Sequence, residues 1–190
     1  MEAETTPRND SLSRAGLYEF FSRVLLTELD VETIRVYQDE ELRETLKSLG
    51  IIMPAQANED TVEELAIDYC KILIGPKDFC PPFQSVWESG HMQSYVVDSM
   101  DEYLQVVQPV CDQSIKDHAG LQMELMSLIL RYEADHDGQS EGLAQSFYRN
   151  HIAWMEKLFR RAAGLAATDF YNTAFQSAEK FIALESEYFV

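Results

Sequence analysis

Three groupings in this chain place side chains capable of chemistry at useful spacings. Asp117-His118 joins a carboxylate to an imidazole, His151 and Trp154 lie three residues apart, and Trp87-Glu88 sets an indole beside an acid. At a helix start, a carboxylate such as Asp117 can cap exposed N–H groups and complement the helix dipole. Three-residue spacing puts His151 and Trp154 on one helical face, where a core tryptophan beside a hydrogen-bonded histidine is the plain structural reading. An aromatic plate next to an acid is a common construction at interface hot spots.

Templates for catalysis fit poorly. Gly75-Pro76-Lys77-Asp78 lacks the spacing of a phosphate-wrapping loop, so Lys77 is not a phosphate-binding lysine. Ser85 does not sit in a nucleophile elbow. Glu133 and His136 have the spacing of a carboxylate di-iron half-site, but no second pair accompanies them. The reading is therefore of a protein that binds rather than catalyses, with no catalytic residue, metal or resident cofactor assigned.

The elements that must hold these groups are helical. Leu12, Leu17, Phe20, Phe21, Val24, Leu25 and Leu29 repeat at three- and four-residue spacing after a polar Asn9-Asp10-Ser11 start. A second helix is expected from Asp30 to Leu49, ended by Gly50 and Pro54. A third, capped by Asp60 with Glu63, carries Val62, Leu65, Ala66, Tyr69, Cys70 and Leu73 and stops at Gly75-Pro76. Further helices are expected around Tyr95–Val107, ended by Pro109, and from Asp117 to Tyr132, followed by a polar break from Asp135 to Gly142. Two more run from about Leu143 to Ala163 and from about Thr168 to Tyr188. No strand, hairpin signal or internal repeat is evident. The expected fold is all-α, a single globular helical domain of six to eight helices or two packed helical subdomains. Residues 1–10 are expected to be a flexible N-terminus and 11–190 the helical domain.

Between the third and fourth helices, the segment 75–90 holds Pro76, Pro81 and Pro82, half of the six prolines, together with Phe79, Phe83 and Trp87. Proline fixes φ and drives the preceding residue into extended backbone, so this segment is expected to be a stiff loop with an apolar wall.

The formal charge is −18, spread along both halves of the chain. That disfavours nucleic acid and anionic lipid as partners and favours a cationic one. Cys70, Cys80 and Cys111 form no paired spacing, the start of the chain has no apolar leader, and no apolar run is long enough to span a bilayer. A cytoplasmic protein without stable membrane insertion is expected.

In order along the chain, these pieces resemble the TorD/DmsD family of redox-enzyme maturation chaperones, with the NarJ chaperones as more distant relatives. The residues that carry the resemblance are Tyr69, Ile72, Leu73, Gly75 and Pro76; Pro81, Pro82, Ser85, Val86 and Trp87; Asp117 and His118; and His151 with Trp154. Leu73 stands where the family usually has phenylalanine, and Ile115-Lys116 where an acidic residue and proline are common. The resemblance spans about residues 12 to 185. It implies a chaperone that binds the twin-arginine signal peptide and the apo form of a molybdenum-containing respiratory reductase in anaerobic respiration, delays its export and assists cofactor insertion. It further implies a monomer or homodimer and a weak GTP or molybdopterin interaction. The corresponding peptide-binding set is Leu73, Gly75, Pro76, Pro81, Pro82, Phe83, Ser85, Val86, Trp87, Glu88, Asp98, Asp117, His118, His151 and Trp154, with Glu88, Asp98 and Asp117 facing the arginines. The alternative is a non-chaperone interaction subunit that docks a folded partner through the proline-rich segment.

Overall fold

The computed structural model describes residues 7–92, 95–107, 115–136 and 142–189, so Cys111 and Pro109 lie outside the described residues, as do residues 1–6 and most of the expected polar break. Among the described residues the chain is all-α, and its one extended pairing is an isolated antiparallel bridge between Phe83 and His118. Ten α-helices are present there: α1 (Pro7–Leu26), α2 (Val31–Tyr37), α3 (Glu40–Ser48), α4 (Glu59–Tyr69), α5 (Gln84–Ser89), α6 (Tyr95–Leu104), α7 (Ala119–Asp135), α8 (Leu143–Phe147), α9 (Met155–Leu165) and α10 (Asp169–Tyr188). Single π turns follow α4 (Cys70–Ile74) and α8 (Tyr148–Ile152).

The helix count exceeds the expected six to eight because one expected helix breaks at a capping residue, another at a π turn, and a short one forms in the expected loop. The second expected helix divides at Asp39, whose non-helical backbone, with ψ 139°, starts α3 and whose carboxylate accepts from the Glu41 amide. The helix expected from Leu143 to Ala163 becomes α8, a π turn and α9. Helix α1 begins at Pro7, ahead of the Asn9-Asp10-Ser11 start, and proline is well suited to a first helical turn because its missing N–H has no partner there. The cap of α4 is Asn58, not Asp60: the Asn58 side chain accepts from the Thr61 amide at 2.9 Å. The proline segment is not a loop throughout. After Pro81-Pro82 and the extended Phe83, residues 84–89 coil into α5, which Gly90 ends in the left-handed conformation at φ 79°.

The chain forms two compact units. The first comprises residues 1–26, 83–154 and 189–190. Its centre is the pairing of α1 with α7, which buries Tyr18, Phe21 and Leu25 on one helix and Leu121, Leu125 and Ile129 on the other. The two backbones approach closely at Gly120. A Cβ there would lie 2.5 Å from Leu26 Cγ, and the Ser22 hydroxyl donates to the Gly120 carbonyl at 2.8 Å. The end of the chain closes this unit, with Phe189 stacked on Tyr148 at 5.1 Å and the Arg14 guanidinium over the Phe189 ring.

The second unit comprises residues 27–82 and 155–188. Helices α9 and α10 form an antiparallel hairpin in which Phe159 stacks with Phe175. Asp68 of α4 is 2 % exposed. Its carboxylate accepts from the amides of Ala167 and Thr168 and from the Thr168 hydroxyl at 2.7–3.1 Å, which satisfies N–H groups at the start of α10. One acid thus ties α4 to the hairpin turn. Asp68→Ala removes four charge-assisted hydrogen bonds and their only acceptor residue in those contacts, and should destabilise the protein by about 2–3 kcal/mol in urea unfolding; a loss well under 1 kcal/mol would show that the carboxylate is dispensable.

Candidate functional site

Two segments far apart in sequence meet in the first unit and place α5. The Gln84 amide donates to the Asp117 carbonyl at 3.0 Å. The Ser85 amide and hydroxyl both donate to the Asp117 carboxylate, the amide at 3.2 Å. The Phe83 ring meets the His118 ring edge-on, with centroids 5.3 Å apart. Ser85 and Asp117 are buried. Asp117 is therefore neither the cap of the following helix nor a carboxylate on the rim. The cap is His118, whose Nδ1 accepts from the Gly120 amide at 3.0 Å, which requires a neutral ring with its proton on Nε2.

Beneath α5 lies a second cluster. The Gln84 side-chain oxygen accepts from Gln122 Nε2 at 2.6 Å and from His151 Nδ1 at 3.0 Å, and its nitrogen donates to Glu88 at 2.8 Å and to the Asn150 carbonyl at 2.6 Å. Because the Gln84 oxygen can only accept, the His151 proton sits on Nδ1. His151 Nε2 faces the Ser99 hydroxyl at 3.1 Å, and Tyr103 and Phe147 pack on the ring. The Trp154 indole N–H is shared between the Gln122 side-chain oxygen at 3.0 Å and the His151 carbonyl at 2.9 Å. The π turn carries His151 inward and lets its carbonyl reach Trp154. Wide turns of this kind recur at functional sites in helices.

Above this cluster the surface is aromatic and acidic. Trp87 and Trp154, both half-buried, have ring centroids 6.2 Å apart. Glu88 is exposed, and its carboxylate is held by two neutral donors, Gln84 on one oxygen and the Tyr95 hydroxyl at 3.0 Å on the other. Asp98, also exposed, lies one helical turn after Tyr95, which is itself 71 % exposed. Among the described residues neither Glu88 nor Asp98 forms an ion pair, and no group of three metal-binding side chains occurs.

The expected set therefore separates. Phe83, Val86, Trp87, Glu88, Asp98, His118 and Trp154 keep some or all of their surface, whereas Ser85, Asp117 and His151 are buried supports in the same unit. Leu73, Gly75, Pro76, Pro81 and Pro82 belong to the second unit. Leu73 and Pro82 are buried there, so these two members of the expected peptide-binding set do not present a surface to a peptide. The π turn rolls Leu73 inward, and the Cys80 amide donates back to the Ile72 carbonyl at 2.7 Å. Gln84, Gln122, Ser99 and Tyr95 were not legible as site residues, because isolated amides and hydroxyls have no characteristic spacing.

The nitrate reductase delta subunit family matches residues 37–160 of this chain. The chain belongs to that family. Chaperone protein TorD of Vibrio parahaemolyticus is 23% identical over 201 residues, covering 92% of this chain and 94% of that relative. The crystal structure of a protein described as a redox enzyme maturation protein, from Archaeoglobus fulgidus, shares the fold with a TM-score of 0.50 and 17% identity, covering 90% of this chain and 93% of that one. The match places the chain in the TorD/NarJ-like family, and both of these relatives are described as maturation or chaperone proteins and neither as an enzyme. No helix among its described residues is long and apolar enough to cross a membrane.

Burial lowers His118 from the ordinary 6.5 to about 4, against the upward pull of the Asp117 carboxylate, and burial alone lowers His151 to about 4. Both folded values lie below the unfolded one, so between 6.5 and about 4 the unfolded chain binds more protons, and stability rises with pH and is lost as the pH falls. The melting temperature should therefore drop between about pH 6.5 and about pH 5. The double variant His118→Gln, His151→Gln should be less stable at neutral pH and should lose most of that slope; an unchanged slope would locate the acid sensitivity elsewhere.

Proposed function

We propose that this protein is a cytoplasmic chaperone that binds the twin-arginine signal peptide and apo form of a molybdenum-containing reductase, delaying export while cofactor is inserted. The observation that carries the reading is the exposed Glu88 carboxylate, oriented by two neutral donors beside the Trp87–Trp154 pair. Guanidinium groups favour carboxylates, which they meet with two parallel hydrogen bonds, and they stack on indole faces. A twin-arginine leader offers two such groups followed by an apolar stretch. Glu88 and Asp98 supply two exposed acids, while Val86, Trp87 and Trp154 supply apolar surface. The formal charge of −18 favours approach of a cationic segment. Asp117, buried and engaged by Ser85, acts in this reading by holding α5 in place and not by meeting an arginine.

Titration calorimetry with a synthetic leader tests the proposal. Trp87→Ala should weaken binding by about tenfold or more, as expected for a central aromatic anchor, with helical content by circular dichroism unchanged. Wild-type protein should prefer the twin-arginine leader to its twin-lysine analogue, and added salt should narrow the preference. A wild-type protein that binds neither leader, or that captures a client equally well once its leader is deleted, would overturn the reading in favour of docking to a folded partner.

A further inference from the structure

Gln84 is 1 % exposed and has no access to a ligand, yet its amide joins four members of the polar cluster under α5. A primary amide offers two donors and two acceptor positions, and here all four are used, toward Glu88, the Asn150 carbonyl, Gln122 and His151. Rotating the amide by half a turn would set its NH2 against the Gln122 NH2 and its oxygen against the Glu88 carboxylate. Only one orientation is satisfied, so the Gln84 donor is fixed toward Glu88, one helical turn along α5. Through its other end, Gln84 holds Gln122, whose oxygen takes the Trp154 indole N–H at 3.0 Å. A continuous line of hydrogen bonds therefore runs from an exposed acid to a half-buried aromatic by way of two buried amides.

We propose that Gln84 is the specificity-determining positioning residue of this surface: it sets the plane of the Glu88 carboxylate and the tilt of Trp154 together, so that the pair receives a planar guanidinium in preference to an ammonium. The inference rests on the proposed arginine-binding role of Glu88. A glutamate side chain has three rotatable bonds, and without Gln84 the contact with Tyr95, itself on the surface, is the restraint that remains among the described residues. Two parallel bonds to arginine require a carboxylate plane already in place, whereas lysine is a compact point charge that accepts many approaches. Losing the plane therefore costs the arginine ligand more than the lysine ligand.

The test is a double-mutant cycle in calorimetry on the full chain, with a twin-arginine leader and its twin-lysine analogue as ligands. Gln84→Met and Glu88→Gln should each reduce the ratio of arginine to lysine affinity by about five- to tenfold. The double variant should reduce it no further than the stronger single change, because both act through one carboxylate. Gln84→Glu keeps the two accepting contacts while removing the donors to Glu88 and to the Asn150 carbonyl, so it should reduce the ratio in the same way, and it serves in the cycle where Gln84→Met does not fold. Equal weakening of both leaders with an unchanged ratio would make Gln84 a purely structural residue and overturn the inference, as would a double variant whose effect is the product of the singles. Absence of leader binding by the wild type would instead sink the proposed function itself.

Discussion

The joint between residues 83–85 and 117–118 governs the first unit. A buried carboxylate, Asp117, receives the amide and hydroxyl of Ser85, and a short antiparallel pairing closes beside it. A buried acid is tolerable only when its oxygens are hydrogen-bonded, so Ser85 and Asp117 need each other. Their contact sets the first turn of α5. Because α5 has only six residues, that first turn determines the direction in which Trp87 and Glu88 leave the surface. The proline pair ahead of it delivers an extended Phe83, and Gly90 behind it ends the helix in a conformation that side-chain-bearing residues resist.

Motifs that stand apart along the chain thus have different physical jobs. Ser85 and Asp117-His118 make the joint, His151 and Trp154 make the floor, and Trp87 with Glu88 remains at the surface. The two histidines have parallel roles. Each is a neutral ring with a defined tautomer, His118 capping α7 through Nδ1 and His151 donating to Gln84 through the same atom. Burial keeps both uncharged near neutral pH, the state their hydrogen bonds require.

Both π turns fall at residues singled out by pattern alone, Ile72 and Leu73 in one and His151 in the other. An extra residue in a helical turn shifts the following side chains by about 100° relative to an unbroken helix. That shift accounts for one error of straight periodicity: Cys70, counted in the apolar stripe with Tyr69 and Leu73, is exposed at the start of the π turn, while Leu73 is buried as the stripe requires. Similar local competition broke the second expected helix, where the Asp39 side chain outbids continuation of the helix by capping a new one. Asn58 in place of Asp60 is a shift of two positions among several residues able to cap.

Periodic apolar spacing determined the all-α class, and most helix ends within a few residues, because burying a stripe at that period is possible only in a helix. Composition likewise determined the acidic character, and motif order pointed to the family. Tertiary structure decided which acids are available: Asp117 and Asp68 are drawn inside by amides and hydroxyls 32 to 100 residues away, while Glu88 stays at the surface between two neutral donors. The supporting role of Gln84 was likewise decided there. Local sequence encodes the period of a helix, but whether a polar side chain is a support or a contact depends on partners that only folding brings within hydrogen-bond reach.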